Sequence, residues 1–264
     1  MDVELIIDDA RVTAAEGASV LDVARRAGRD IPALCHHEAV PAIASCRLCL
    51  IEVRRPSRNS VELTTSCDYP ASDGLVVLTD SPRIRKHRRM NLQLLLRRAP
   101  DAPALRRLAE QLGVTEPQFA PLAGAPLPGC ILCELCVRVC SAAGYNALAA
   151  SGRGDHKSVG PPPFGRTAAQ DCVGCGSCHE ICPTECIPMA DTATTRTIWG
   201  RTFELLGCER CGMTITTQAH AQAMAADTVL PVKSSDLCDH CKARATSRRL
   251  VTPSPEDGLT RGQR

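Results

Sequence analysis

Seventeen cysteines stand in this 264-residue chain, and all but Cys186 fall into four sets of four. The sets are Cys35, Cys46, Cys49, Cys67; then Cys130, Cys133, Cys136, Cys140; then Cys172, Cys175, Cys178, Cys182; then Cys208, Cys211, Cys238, Cys241. A thiolate is a soft anionic ligand, and four of them complete a zinc ion or an iron–sulfur cluster. Disulfides are the competing use of cysteine, but they need an oxidising compartment. The opening Met1-Asp2-Val3-Glu4 has neither a basic nor an apolar signal region, so a cytoplasmic location is expected. The tight C-x2-C pairs also suit metals better than bridges.

Spacing separates the sets. Cys130 to Cys140 reads C-x2-C-x2-C-x3-C, and Cys172 to Cys182 repeats it with Pro183 after the last cysteine. This is the signature of two [4Fe–4S] clusters, in which the fourth cysteine of each run ligates the other cluster. One cubane is therefore assigned Cys130, Cys133, Cys136 and Cys182, and the other Cys172, Cys175, Cys178 and Cys140. Zinc knuckles do not use this spacing. The first set, Cys35-x10-Cys46-x2-Cys49-x17-Cys67, suits one [2Fe–2S] cluster: a loop supplies three thiolates and a strand end the fourth. The plant-type C-x4-C-x2-C spacing is not matched. A Rieske centre at His36 and His37 is disfavoured because four cysteines already complete the site. The last set is two C-x2-C pairs, the usual structural zinc arrangement, with a third [4Fe–4S] cluster as the alternative. His220 and His240 are not expected to be ligands, and Cys186 is read as a packed thiol.

These ligands need elements to hold them. Residues 3–7 and 11–13 read as strands joined at Asp8-Asp9, and Ser19 caps a helix that Gly28 ends. Residues 50–54 form a strand, and a second around 61–65 delivers Cys67. Residues 82–113 read as helical, with Leu92, Leu95 and Leu96 on one face and Ile84 two turns earlier. Arg83, Arg85, Lys86, Arg88, Arg89, Arg97 and Arg98 make the other face basic, read as solvated, and a short helix over 104–112 ends at Gly113. Gly and Pro density makes 141–171 a loop. A helix over 218–226 fills the gap between the last two cysteine pairs, and 252–264 is a loose polar tail.

Aromatic residues are scarce: Trp199, Tyr69, Tyr145, Phe119, Phe164 and Phe203. Small modules with so few large rings need a staple, and metal supplies it. A net charge of +2 gives no global attraction to nucleic acid, and no apolar run could span a bilayer. There is no P-loop, no His-Glu-x-x-His, and Gly152-x-Gly154 lacks the third glycine of a dinucleotide site. No active site of its own is expected. Several iron–sulfur clusters in one chain most simply make a wire for electrons. The alternative is an iron–sulfur redox-sensing or nucleic-acid-binding regulator, for which the basic helix and the last cysteine pairs would speak.

The stretch Ile31-Pro32-Ala33-Leu34-Cys35-His36-His37 through Cys46-Arg47-Leu48-Cys49-Leu50-Ile51-Glu52-Val53, followed by the twin runs, resembles the diaphorase-side small subunit of NAD-linked nickel–iron hydrogenases. It is similar as well to the N-terminal part of the NADH dehydrogenase iron–sulfur subunit. The resemblance covers 3–190 and implies a β-grasp [2Fe–2S] ferredoxin domain (1–80), a helical linker (81–122) and a dicluster ferredoxin domain (123–195). A zinc-ribbon-like module (196–251) and the tail lie outside it, and the whole is α+β. The implied partners are a flavin subunit that binds NAD(P) and a catalytic metal subunit of hydrogenase or molybdenum-enzyme type, as in hydrogenases, formate dehydrogenases or NADH dehydrogenases. Related subunits also hold a cluster with one histidine and three cysteines after the linker helix. No cysteine lies between Cys67 and Cys130, so that site is missing here.

Overall fold

The structure, a computed structural model, describes residues 1–58, 60–125, 127–162, 171–226 and 237–244. The expected tail at 252–264 lies outside the described residues. The chain is mixed α+β and divides into two units: 1–171 with 176–188, and 172–175 with 189 onward.

The first unit opens with an antiparallel hairpin, β1 (Asp2–Ile7) and β2 (Ala10–Ala15), with Ile7 opposite Ala10. Asp8 and Asp9 both take positive φ, 45° and 68°, the two-residue turn whose twist matches the strands. In β1, Val3, Leu5 and Ile7 alternate inward. Ser19 caps α1 (Val20–Arg26) through its Oγ and the Asp22 amide, and α1 buries Val20, Leu21, Val23 and Ala24. β3 (Leu50–Arg54), β4 (Glu62–Thr65) and β5 (Val76–Leu78) complete a five-stranded sheet in the order β2-β1-β5-β3-β4. β5 runs parallel to β1 and antiparallel to β3.

The helical stretch is two helices, α2 (Pro82–Arg98) and α3 (Pro103–Leu112), because Pro100 and Pro103 cannot continue the first. Gly113 closes α3 at φ 64°. The basic face is not wholly solvated. Arg88 occupies the i+4 stripe of Ile84, Leu92 and Leu96 and is buried. Its Nη2 donates to Leu50 O at 2.7 Å and Thr79 O at 3.0 Å, tying α2 to the sheet.

α4 (Leu135–Ala142) follows. The stretch expected to be a loop contains a short hairpin, β6 (Ala149–Ser151) with β7 (Ser158–Gly160), around a 3-10 turn at Gly154–His156. Strands this short carry too little alternation to be legible. α5 (Ser177–Glu180) packs on α4.

The second unit is an antiparallel meander that the sequence pattern does not announce: β8 (Met189–Asp191), β9 (Thr195–Ile198), β10 (Arg201–Gly207) and β11 (Thr214–Thr217). Its strands are threonine- and arginine-rich, with Ile198, Phe203 and Thr217 the buried members. α6 (Gln218–Ala226) lies against β10 and β11.

Replacing Arg88 with leucine strands two buried carbonyls without donors. Arg88→Leu is expected to cost about 3 kcal/mol. Urea unfolding would read this as a lower midpoint at unchanged slope.

Candidate functional site

The first cysteine set gathers at one end of the sheet. Cys35, Cys46, Cys49 and Cys67 are all buried. Cys35 follows the chain leaving α1. Cys46 and Cys49 flank a turn in which Arg47 is left-handed, φ 53°, its carbonyl held by Asn91 Nδ2 at 2.6 Å. Cys67 follows β4, and both the amide and Oγ of buried Ser66 donate to Cys49 O at 2.9 and 2.8 Å. The Cys46 amide donates to Cys35 Sγ at 3.3 Å. Neighbouring Cys46 and Cys67 thiols hold the Cys35 thiol well below its ordinary pKa, and their own are pushed up by the same contact with Cys35. Four thiols linked pairwise, Cys46 to Cys35, Cys35 to Cys67 and Cys67 to Cys49, with amides aimed at sulfur, suit a compact polynuclear group that carries negative charge. His36 Nε2 pairs with Asp22 Oδ1 at 3.0 Å, and His37 Nδ1 accepts from the Ala39 amide at 3.1 Å.

Cys130, Cys133 and Cys136 of the first run and Cys182 of the second line one cavity, beside Leu127, Val159 and Ile187. In the first run, the cysteines sit around tight turns. The backbone turns left-handed at Leu132, φ 55°, and Glu134, φ 57°. The second run does the same at the matching points, Gly174, φ 68°, and Gly176, φ 88°. The turn aims an amide back at sulfur in both: Leu132 N to Cys130 Sγ at 3.3 Å, and Gly174 N to Cys172 Sγ at 3.4 Å. A leucine and a glutamate in this conformation cost energy that glycine avoids, so the geometry matters more than the residue. Burial pushes the Cys133 and Cys136 thiols up to about 12. Such thiols ionise only against a bound cation, and the donor set fits a cubane there. Cys178 is a charge neighbour of Cys136, while Cys140 Sγ accepts from the Ala147 amide at 3.3 Å. Cys140 and Cys178 lie in the first unit, Cys172 and Cys175 in the second.

Cys186 is half-buried in the same cavity, its Sγ 3.7 Å from Cys182 Sγ. A thiol hydrogen bond from it lowers the Cys130 pKa.

The last set converges most tightly. Sγ atoms of Cys208, Cys211, Cys238 and Cys241 all lie within 4.8 Å of one another, and Cys211 and Cys238 are 3.7 Å apart. A knuckle forms where Cys208 N donates to Met213 O and Gly212 N to Cys208 O, both at 2.8 Å, with Gly212 at φ 72°. His220 instead meets Thr216 Oγ1 at 2.7 Å.

Sequence reasoning missed the arginines. Arg98 Nε donates to Cys130 O at 3.1 Å, and Arg138 Nη2 to Cys35 O at 2.8 Å and Cys133 O at 3.0 Å. In the second unit, Arg201 Nη1 donates to Cys172 O at 3.1 Å with its guanidinium over the Phe203 ring. Arg196 Nη1 donates to Cys175 O at 3.1 Å while Asp191 holds its other edge. No local spacing announces these contacts, since most join residues tens of positions apart.

Residues 1–82 match the family described as a 2Fe-2S iron-sulfur cluster binding domain, and 128–189 a 4Fe-4S dicluster domain. The chain is 31% identical over 205 residues to a subunit of the NADH-quinone oxidoreductase of Rhizobium meliloti, covering 69% of this chain and 23% of the relative. Against the mitochondrial 78 kDa subunit of NADH-ubiquinone oxidoreductase from Candida albicans it is 30% identical over 183 residues, covering 60% of this chain and 25% of that protein. The chain thus spans about a quarter of the length of these curated relatives. A chain from the crystal structure of NAD+-reducing [NiFe]-hydrogenase in the H2-reduced state superposes with a TM-score of 0.53 at 32% identity, covering 60% of this chain and 74% of that one.

Arg196→Met removes a charge-assisted grip on the Cys172–Cys175 turn, worth about 1.5 kcal/mol. Iron release from the purified protein to a chelator is expected to quicken about tenfold.

Proposed function

From the premise that this chain belongs to the family of iron–sulfur subunits found in NADH-quinone oxidoreductases and the NAD+-reducing [NiFe]-hydrogenase, we propose that it relays single electrons within an NAD(P)-linked oxidoreductase complex. A flavin subunit stands at one end of the relay and a second, metal-containing active site at the other. The [2Fe–2S] cluster belongs to Cys35, Cys46, Cys49 and Cys67 in a β-grasp domain, 1–80, joined by the helical linker 81–122 to the dicluster domain 123–195. There the cubanes belong to Cys130, Cys133, Cys136, Cys182 and to Cys172, Cys175, Cys178, Cys140. Bound clusters supply one-electron redox chemistry. The protein's residues bury eight of these twelve cysteines and aim amides at several of the sulfurs.

One observation carries the reading. Cys35, Cys46, Ile131, Cys133 and Leu135 share a single apolar core, so ligands of two predicted centres pack against each other. Among the described residues no helix is long and apolar enough to cross a membrane.

For the last set, in the module 196–251, the reading is zinc rather than a third cubane. Zinc–sulfur bonds of about 2.3 Å in a tetrahedron put sulfurs about 3.8 Å apart. The 3.7 Å between Cys211 and Cys238 fits that spacing. A cubane spreads its four thiolates over four irons and needs a wider cage.

Anaerobic purification from the native host should bring a flavoprotein with this chain. Low-temperature electron paramagnetic resonance of the reduced protein should show one [2Fe–2S] and two [4Fe–4S] signals, with about ten irons per chain. A colourless protein containing only zinc sinks the proposal. Cobalt(II) exchanged into the last site should give the absorption of one tetrahedral four-thiolate ion, lost in Cys211→Ser.

A further inference from the structure

Arg138 lies on α4, two residues before Cys140, in the second position of the x3 gap of the first cysteine run. Its Nη2 donates to two carbonyls: Cys35 O at 2.8 Å, 103 residues away, and Cys133 O at 3.0 Å. Nη1 donates to Pro41 O in the loop between Cys35 and Cys46. Its Nε is buried without a hydrogen-bond partner. A second clasp runs beside it, from Ser45 Oγ to Leu132 O at 2.9 Å. Solvation alone does not explain this side chain. A fixed positive charge has been placed between carbonyls of two predicted ligands from different centres, and one of its donors is left over.

We propose that Arg138 couples the [2Fe–2S] centre to the first cubane, acting both as the clasp that fixes their approach and as the charge that favours electrons on both. This rests on the ligand assignment proposed above. The bonded path from Cys35 runs Sγ–Cβ–Cα–C–O, crosses Nη2 by two hydrogen bonds, and returns O–C–Cα–Cβ–Sγ through Cys133. In each transfer one electron leaves the first centre and one arrives at the second. No covalent bond changes, and Arg138 keeps its proton throughout, because a guanidinium does not deprotonate in proteins. Reduction adds one negative charge to a four-thiolate centre. A nearby, partly buried guanidinium makes that addition easier at either centre. The chain lacks the histidine-plus-three-cysteine site, and the clasp gives electrons a direct step from the first domain to the cubanes.

The test uses the full chain with its clusters, as wild type, Arg138→Gln and Arg138→Lys. Midpoint potentials come from redox titration followed by electron paramagnetic resonance, and transfer between centres from pulse radiolysis. Gln should make reduction of the [2Fe–2S] centre tenfold less favourable, a fall of about 59 mV, and should slow transfer at least threefold. Lys keeps the charge but not the fork, so it should restore the potential and leave transfer slow. Both variants matching wild type in potential and rate, with the two signals intact, would overturn this assignment alone. If Gln fails to hold iron, a Lys variant with wild-type transfer rate overturns it equally. A wild-type chain lacking the two signals would overturn the proposed function, and this inference with it.

Discussion

A thiol buried in protein resists ionisation, because its thiolate loses the solvation that water gives it. Eleven of the sixteen grouped cysteines are nonetheless buried, with Cys133 and Cys136 pushed far from their ordinary range. Such an arrangement is stable in its working form only when cations sit among the sulfurs and the surroundings accept the remaining negative charge. Much of the local architecture answers that requirement. Amides of Cys46, Leu132, Ala147 and Gly174 point at sulfur. Arginine guanidinium groups reach the carbonyls of Cys35, Cys130, Cys133, Cys172 and Cys175. Each guanidinium fixes a grouped cysteine's backbone and places positive charge beside it.

The grouped cysteines are also part of the apolar packing. Among the described residues of the first unit, one apolar cluster lies under the sheet and another where α2 and α3 meet the cysteine loops. Cys49 and Cys67 belong to the first cluster, and Cys35, Cys46 and Cys133 to the second. In the second unit the apolar cluster around the last set is Cys208, Cys238 and Cys241 with Ile215 and Leu237. Cysteine is thus core material as well as a proposed ligand, and where such a set binds metal, binding and folding are coupled. Arg88 serves the scaffold in a related way, closing two carbonyls between sheet and linker helix.

The linker helices pack against the cysteine loops. In this chain α2 and α3 carry no cysteine, and His87 is exposed on α2. These helices instead contribute Leu92, Leu96, Leu105 and Leu108 to the core that contains Cys35 and Cys133. The two helices thus brace the segments that carry Cys35 and Cys133.

How much could be read in advance varies from element to element. The β1–β2 hairpin, β3 and α6 were legible because alternation, turn residues and helical composition act over a few neighbours. The separate α3 was legible as well, from its apolar spacing and Gly113 at its end, with Pro100 and Pro103 marking the break before it. The meander from β8 to β11 was not, because its strands are polar and gain stability only by pairing. Left-handed turns at Gly174 and Gly176 could be suspected from glycine, whereas the matching turns at Leu132 and Glu134 could not. Sequence alone determined the chemistry: thiolate number and spacing are covalent facts, and they restrict which metal groups can be held. Tertiary structure alone decided which distant groups meet those thiolates. Arg138 reaches Cys35 across 103 positions, and no local rule records a contact that exists only after the two segments share one core.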